Sequence, residues 1–101
     1  MGPNREHADL AARYLPGGVC ASARIHKGLG SPFYLSRAQG SKVYDLAGNE
    51  YIDLCTSFGS ALVGHAHPKV VEAVSAQLTK GSAFALATEQ EVVYAEHLLS
   101  R

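Results

Sequence analysis

Two short β-prone runs joined by four residues constrain the fold of this chain more than any other feature. The runs are Val43–Leu46 and Tyr51–Leu54, and the connection reads Ala47-Gly48-Asn49-Glu50. Gly48 and Asn49 tolerate the positive φ that a tight connection demands, so residues 42–54 are expected to form a β-hairpin. Each run alternates polar and apolar residues only loosely, which predicts partial burial on both faces.

The residues before the hairpin predict one helix, a loop and one further strand. A helical apolar stripe extends over residues 6–15, and Pro16-Gly17-Gly18 then ends the helix. A loop rich in small residues is expected over 20–32, a strand over 33–36 and a turn at Gln39-Gly40. The stripe of the helix consists of Ala8, Ala11, Ala12 and Leu15.

Two helices are expected after the hairpin. The first begins at Pro68, a residue favoured at the first helical position, and ends at Lys80-Gly81. The second begins after Thr88 with a capping-box pattern and continues to Arg101 without a C-terminal cap, which favours a natural polypeptide longer than this chain. The predicted buried faces are Val70, Val71, Val74 and Leu78 for the first helix, and Val92, Ala95 and Leu99 for the second.

Composition and charge exclude several classes of function. A chain of 101 residues makes one domain or less, with a modest core. Nine basic residues balance nine acidic ones without any run of like charge, so neither nucleic acid nor an anionic membrane is an expected partner. No apolar stretch approaches the roughly 18 residues of a membrane span, and the polar N-terminus does not resemble a signal peptide. Cys20 and Cys55 form no CxxC pair, so we expect reduced thiols in a cytosolic or organelle-matrix protein, with the cytoplasm as the expected location.

Most residues with metal-binding or nucleophilic side chains have a structural interpretation. His65-Ala66-His67 has no further ligands at metal-binding spacing, so a turn that leads into a helix is preferred over a metal site. The two cysteines are interpreted as small space-filling residues. The lysines lie in polar or helix-surface contexts, which do not favour a Schiff base. These lysines are Lys27, Lys42, Lys69 and Lys80.

Arg24 is the exception. It lies in a loop rich in Gly and Ser, and none of the ten residues that follow it is acidic. A guanidinium without a local partner can bind the carboxylate of a ligand through two parallel hydrogen bonds. An ordinary surface arginine is the alternative that the local sequence leaves open.

Four blocks of sequence, in order and in matching spacing, resemble class III aminotransferases, and most closely their glutamate-semialdehyde aminomutase branch. The first block is Tyr14–Val19 followed by Arg24, and the second is the hairpin Val43–Asp53, which is similar to the D-x-x-G-N-x-Y-I-D stretch of the family. The third joins Ser57-Phe58-Gly59 to residues 62–74, and the fourth joins residues 80–82 to 87–91. The resemblance extends from about residue 10 to residue 101.

The resemblance implies an α/β fold, namely the N-terminal segment of a fold type I transferase that depends on pyridoxal 5′-phosphate (PLP). The expected elements are a helix, a β-hairpin or small sheet and two helices. Residues 1–101 would be a single incomplete unit of the small domain, without the large PLP-binding domain. In the family, the lysine that carries PLP and the other cofactor-binding residues lie farther along the chain. This chain alone is therefore expected neither to hold PLP nor to be active, and the full-length protein is expected to be a homodimer.

The resemblance also assigns roles to individual residues. Arg24 corresponds to the arginine that binds the substrate carboxylate in the aminomutase branch. Phe58 stands where that branch has an aromatic residue, usually Trp, on the wall of the substrate pocket, with a core aromatic as the alternative. Ser57 and Gly59 flank Phe58 and would let the backbone approach the ligand. No catalytic, cofactor-binding or metal-binding residue is assigned.

Two departures from the aminomutase pattern bear on the substrate. Cys20-Ala21-Ser22 replaces Asn-Ser-Pro, and Phe58 replaces Trp, so polar groups are lost from the predicted pocket. The implied function is the movement of an amino group on an amino-acid-like or amino/keto small molecule, and the two departures fit some other amino acid better than glutamate semialdehyde. The alternative is a non-catalytic remnant that acts as a small α+β binding or interaction module.

Overall fold

A three-stranded antiparallel sheet organises the first part of the chain. In the computed structural model, which describes residues 2–25 and 27–101, the strands are β1 (Leu35–Gln39), β2 (Lys42–Asp45) and β3 (Glu50–Ile52), in the order β1-β2-β3. The pairing of Val43 with Tyr51 confirms the predicted hairpin. The last strand ends two residues before the predicted Leu54, because Asp53 leaves the sheet and its carboxylate accepts hydrogen bonds from the backbone ahead of it.

The side-chain carboxylate of Asp45 holds the hairpin turn by accepting hydrogen bonds from it. Its Oδ1 accepts the N–H groups of Ala47 and Asn49 at 2.9 and 2.8 Å, and its Oδ2 accepts the Asn49 side-chain amide at 2.9 Å and the Tyr51 hydroxyl at 3.1 Å. The side-chain amide of Asn49 is the main cause that lowers the pKa of this buried carboxyl, and the backbone N–H groups and Tyr51 lower it further. The Asp, Asn and Tyr of the motif therefore hold the turn together.

Strand β1 begins and ends later than the sequence predicts. The predicted strand over 33–36 is observed at Leu35–Gln39, and the turn that follows lies at Gly40-Ser41. Its bounds are set by pairing with β2, in which Ala38 lies opposite Val43. The N–H of Tyr34 donates to Asn4 Oδ1 at 2.8 Å, so this residue is bound to the N-terminal helix and not to the sheet.

The first helix, α1 (Pro3–Ala11), is shifted towards the N-terminus relative to the predicted 6–15. Proline at its first position favours the earlier start. The Ala11 carbonyl accepts the N–H groups of both Tyr14 and Leu15, at 3.0 and 2.8 Å, as the chain turns away from the helix. Ala8 and Ala11 are buried as predicted, whereas Ala12 and Leu15 are exposed.

Short 3-10 turns connect α1 to β1. They lie at Pro16–Gly18, Ser22–Arg24 and Lys27–Leu29, within the loop that the sequence predicts over 20–32 and directly before it. Position 26 of the predicted loop lies outside the described residues. Asn4 ties the end of this loop to α1, because its side-chain amide donates to the Pro32 carbonyl at 3.0 Å.

Residues 68–101 form a unit separate from residues 1–67. They contain α2 (Pro68–Leu78) and α3 (Glu89–Leu99), which confirms both predicted helices. Glu91 accepts the N–H of Thr88 at 3.1 Å in the predicted capping box. The predicted continuation to Arg101 is wrong, because α3 ends at Leu99 and the N–H of Ser100 bonds back to the Glu96 carbonyl.

The predicted buried faces of α2 and α3 are exposed in the described chain. Val70, Val74 and Leu78 retain 50, 52 and 58% of their accessible surface, and Leu99 retains 86%. Within residues 68–101, α2 and α3 are therefore amphipathic helices whose apolar stripes stay largely exposed. Over residues 2–25 and 27–101, none of the helices has the length and apolar character needed to cross a bilayer.

Candidate functional site

A cleft of about 550 Å³ opens in the first unit and brings together residues that are far apart in the sequence. Three of the four predicted substrate-binding residues line it, namely Arg24, Ser57 and Phe58. Gly59, the fourth, belongs to the adjacent turn but is not among the lining residues described. Two polar residues that the sequence did not single out for binding, Asp53 and His65, also line the cleft. Its apolar wall includes Leu29, Phe33, Leu35, Val43 and Phe58.

Arg24 ends one of the 3-10 turns, and its side chain is exposed. Its N–H bonds to the Ala21 carbonyl at 3.0 Å, which fixes the backbone at this point. Its guanidinium donates to Cys20 Sγ and forms none of the ion pairs found among residues 2–25 and 27–101. Most of its five N–H donors are therefore available to a ligand carboxylate.

Residues 56–59 form a left-handed turn next to the cleft. Thr56, Ser57 and Phe58 have φ values of 48, 52 and 55°, and Gly59 follows at 88°. The carbonyl of Thr56 accepts the N–H groups of Gly59 and Ala61, both at 3.0 Å. A left-handed conformation costs a non-glycine residue roughly 1–2 kcal/mol, and strain of this kind concentrates at functional sites.

The strained turn sets the environment of Phe58. Its ring is 77% exposed and lines the cleft, so the alternative of a buried core aromatic does not hold in the described chain. Gly59 lacks a Cβ and can occupy the last left-handed position at no steric cost. The turn thus presents a large apolar surface beside Arg24.

Asp53 and His65 hold the loop that carries this turn. His65 Nε2 lies 2.6 Å from Asp53 Oδ2, and Asp53 Oδ1 accepts the N–H groups of Cys55 and Thr56 at 2.8 and 3.1 Å. The hydrogen bond from His65, and then those from the backbone of Thr56 and Cys55, lower the pKa of the Asp53 carboxyl. Because an ionised carboxylate only accepts, Nε2 of His65 carries the proton in this contact.

The backbone of His65 anchors the other end of the loop to the sheet. Its carbonyl accepts the Gly40 N–H at 2.8 Å, and its own N–H donates to the Gly40 carbonyl at 2.9 Å. A Cβ at Gly64 would lie 3.1 Å from Gly40, so this approach requires glycine. His65 shapes the turn before the helix, in keeping with its structural interpretation.

The space-filling interpretation of the cysteines is wrong. Cys20 and Cys55 are free and exposed in the described chain. Cys55 lines the cleft, and Cys20 receives the hydrogen bond from Arg24. A local signal for the Asp53 turn exists in the sequence, since the side chain of an aspartate often accepts the backbone N–H of the residue two positions on. No local signal links Asp53 to His65, which is twelve residues away.

No lysine lines the cleft within the described part of the chain. Lys42 instead forms an ion pair with Glu50 at 2.7 Å, and this contact raises the pKa of its amine. A reactive lysine needs the opposite environment, one that favours the neutral amine. Among residues 2–25 and 27–101, no group of three His, Cys, Asp or Glu side chains is placed to share a metal ion.

The chain matches a known family over most of its length. Residues 25–101 match the pattern of the family described as aminotransferase class-III. Over 89 residues the chain is 45% identical to the glutamate-1-semialdehyde 2,1-aminomutase of Methanobrevibacter smithii, an alignment that covers 88% of this chain and 21% of that enzyme. The chain therefore spans about a fifth of the length of this curated relative.

Solved structures show the same fold. An omega-transaminase from Sphaerobacter thermophilus superposes with a TM-score of 0.89 at 34% identity, over 99% of this chain and 22% of that one. A glutamate-1-semialdehyde aminomutase from Pseudomonas aeruginosa PAO1 superposes with a TM-score of 0.83 at 26% identity, over 97% of this chain and 22% of that one. These neighbours are PLP-dependent transaminases of fold type I, which confirms the predicted fold class. The chain belongs to the class III aminotransferase family.

Proposed function

We propose that this chain is the substrate-carboxylate-binding segment of a PLP-dependent aminotransferase or aminomutase that acts on an amino-acid-like molecule. One observation carries the proposal: the exposed guanidinium of Arg24, without a carboxylate partner in the described chain, lines the same cleft as Phe58. In family members, PLP acts as the electron sink, and the protein binds and orients the substrate. This segment contributes to the binding and orientation.

Each residue of the cleft has a distinct role in the proposal. Arg24 binds the substrate carboxylate through two hydrogen bonds, and Phe58 packs against the body of the substrate. Ser57 adds a hydroxyl at the wall of the cleft. Gly59, next to the cleft, allows the left-handed turn that positions Ser57 and Phe58. The Asp53–His65 pair holds that turn and acts as a positioning element.

Other properties belong to the whole protein and are proposed with its activity. The aligned 89 residues are only 21% of the Methanobrevibacter smithii relative, which is thus about four times as long as this chain, and this supports an incomplete small-domain segment. The protein that carries it would be a homodimer in the cytoplasm, and the chain alone would be inactive. The lack of a lysine among the described lining residues supports the last point.

A chimeric enzyme tests the role of Arg24. Residues 10–101 replace the matching segment of the Methanobrevibacter smithii aminomutase, and turnover of amino-acid substrates is measured. Arg24→Gln should lower kcat/KM about 10- to 100-fold, the range expected for a charge-assisted hydrogen-bonded pair. Arg13→Gln, which removes an exposed arginine that does not line the cleft, is the matched control. Equal kcat/KM for Arg24→Gln and Arg13→Gln would contradict the proposal, provided that both chimeras bind PLP.

The isolated chain provides a second test. After incubation with PLP and dialysis, we expect no visible absorbance band to remain with the protein, because the described cleft offers no lysine. A persistent band that disappears on substitution of one of the four lysines would place cofactor binding within this segment. It would refute the proposal that this segment binds the substrate while other parts of the protein hold PLP.

A further inference from the structure

We infer that the cleft selects substrates with one carboxylate on an apolar body over dicarboxylates and substrates with a polar body. The inference rests on the proposed role of Arg24 and adds a substrate class to it. It depends on which groups of the cleft remain available to a ligand and which are already used within the chain.

The charges at the cleft favour a single carboxylate. Arg24 is the one lining residue in the described chain that carries a permanent positive charge. The other charged group, Asp53, is held as a carboxylate by His65 and two backbone N–H groups. The Nε2 proton of His65 is already donated to Asp53, so it does not serve a ligand. A second ligand carboxylate would therefore meet the negative charge of Asp53 and no second arginine or lysine among the described lining residues.

The neutral polar groups at the cleft are few. The hydroxyl of Tyr34 donates to the Gly18 carbonyl and is thus already engaged. Ser57 contributes a hydroxyl that forms no hydrogen bond found in the described chain. A ligand body with several polar groups would lose hydration without equivalent replacement, which disfavours its binding.

The apolar wall is extensive and exposed. Leu29, Leu35 and Phe58 retain 58, 48 and 77% of their accessible surface. The ring of Phe33 is held edge-on against Tyr51, with 5.2 Å between the ring centroids, so this part of the wall is in place before any ligand binds. Each ligand methylene that becomes buried on such a wall should strengthen binding about fourfold.

Three six-carbon probes test the inference on the full chain. Hexanoate, adipate and hexanamide have the same length and differ in their end groups, and ligand-detected saturation-transfer NMR measures the dissociation constant of each. Hexanoate should bind at least fivefold more tightly than adipate and at least tenfold more tightly than hexanamide. Phe58→Ala should weaken hexanoate about fivefold or more and should affect adipate less.

Arg24→Gln distinguishes a failure of the inferred substrate class from a failure of the carboxylate-binding role of Arg24, with Arg13→Gln as the matched control. If adipate binds as tightly as hexanoate and both are weakened by Arg24→Gln, the apolar substrate class is overturned, whereas the carboxylate-binding role of Arg24 stands. If Arg24→Gln weakens neither acid, the role of Arg24 in the proposed function fails as well. Absence of hexanoate binding to a chain that is folded by circular dichroism would also overturn the inference.

Discussion

Asp45 and Asp53 accept hydrogen bonds in the same pattern at two turns of the first unit. In each, Oδ1 accepts two backbone N–H groups from the residues that follow, while Oδ2 contacts a ring-bearing side chain. That side chain is Tyr51 for Asp45 and His65 for Asp53. Carboxylates that accept three hydrogen bonds, as Asp53 does, or four, as Asp45 does, organise turns and are poorly suited to proton transfer.

The Asp45 network predicts a dependence of stability on pH. Its hydrogen bonds lower the pKa of the folded carboxyl below the ordinary 3.8. Its stabilising contribution is therefore complete above that value and is lost as the pH falls through the lower pKa of the folded state. The thermal midpoint of the chain should decrease as the pH is lowered through this range, and Asp45→Asn should make the midpoint less dependent on pH. Parallel curves of thermal midpoint against pH for the parent and Asp45→Asn would contradict the prediction.

The conformation of Ser57 predicts an unusual response to substitution. At a φ of 52°, Ser57→Gly relieves strain and should leave the free energy of unfolding unchanged or raise it by up to about 1 kcal/mol. Ser57→Val should lower it by about 1–2 kcal/mol, since a β-branched residue is a steric outlier there. The control is Ser75→Gly in the interior of α2, which should destabilise by about 1 kcal/mol. Urea titration measures all three, and equal losses for both glycine variants would refute the argument.

Among the elements, the hairpin is joined to the loop of residues 53–65, here called the cleft loop, through the turn between β1 and β2. Gly40, in this turn, exchanges two backbone hydrogen bonds with His65, at the far end of the cleft loop. The loop is thus held at Asp53 by a side chain and at Gly40 by the backbone. A sheet of only three strands can in this way position residues that lie outside it.

Two glycine substitutions test this connection. Gly64 and Gly48 have similar φ values, 83 and 86°, but a Cβ at Gly64 would lie 3.1 Å from Gly40, whereas one at Gly48 would meet nothing within 4 Å. Gly48→Ala should therefore lower the free energy of unfolding by the strain alone, about 1–2 kcal/mol. Gly64→Ala should lower it further and weaken amide-exchange protection at Gly40. Equal losses for the two variants would show that the backbone contact adds nothing.

At the scale of the whole molecule, the chain buries little apolar surface. The buried hydrophobic residues of the described chain are Ala8, Ala11 and Val43, all of moderate or small size. Val70 and Val74 of α2, and Val92 of α3, keep half or more of their surface exposed. Apolar stripes of this extent promote association in water when nothing covers them.

We therefore expect the isolated chain to self-associate at micromolar concentrations. Val74→Lys places a charge on the apolar stripe of α2 and should reduce association in sedimentation velocity. Ala76→Lys adds the same charge to the opposite face of the helix, so it is the matched control and should have less effect. A parent chain that sediments as a single monomeric species and melts cooperatively would contradict the prediction and favour an autonomous module.

Local chemistry allowed most of the elements to be predicted. The turn residues at 47–50, Pro68 and the Thr88–Glu91 capping box each act over a few residues, and the structure confirms the hairpin and both helices. Boundaries were less predictable: β1 is fixed by its pairing with β2, and α1 ends where the chain turns back at Ala11. Of the candidate site, Arg24 and Phe58 were found from the sequence, but Asp53 and His65 were not assigned to the cleft.

The family, the fold class and the order of elements follow from the amino-acid sequence, because they depend on short-range patterns of turns, caps and motif spacing. In contrast, folding brings Arg24 and Phe58, which are 34 residues apart, to the lining of one cleft, and it brings His65 against Asp53 to hold the loop of that cleft. The cause is that the exchange of hydrogen bonds between Gly40 and His65, and the contact between His65 and Asp53, join segments that are distant in the sequence. Contacts of that kind leave no periodic signal in the sequence.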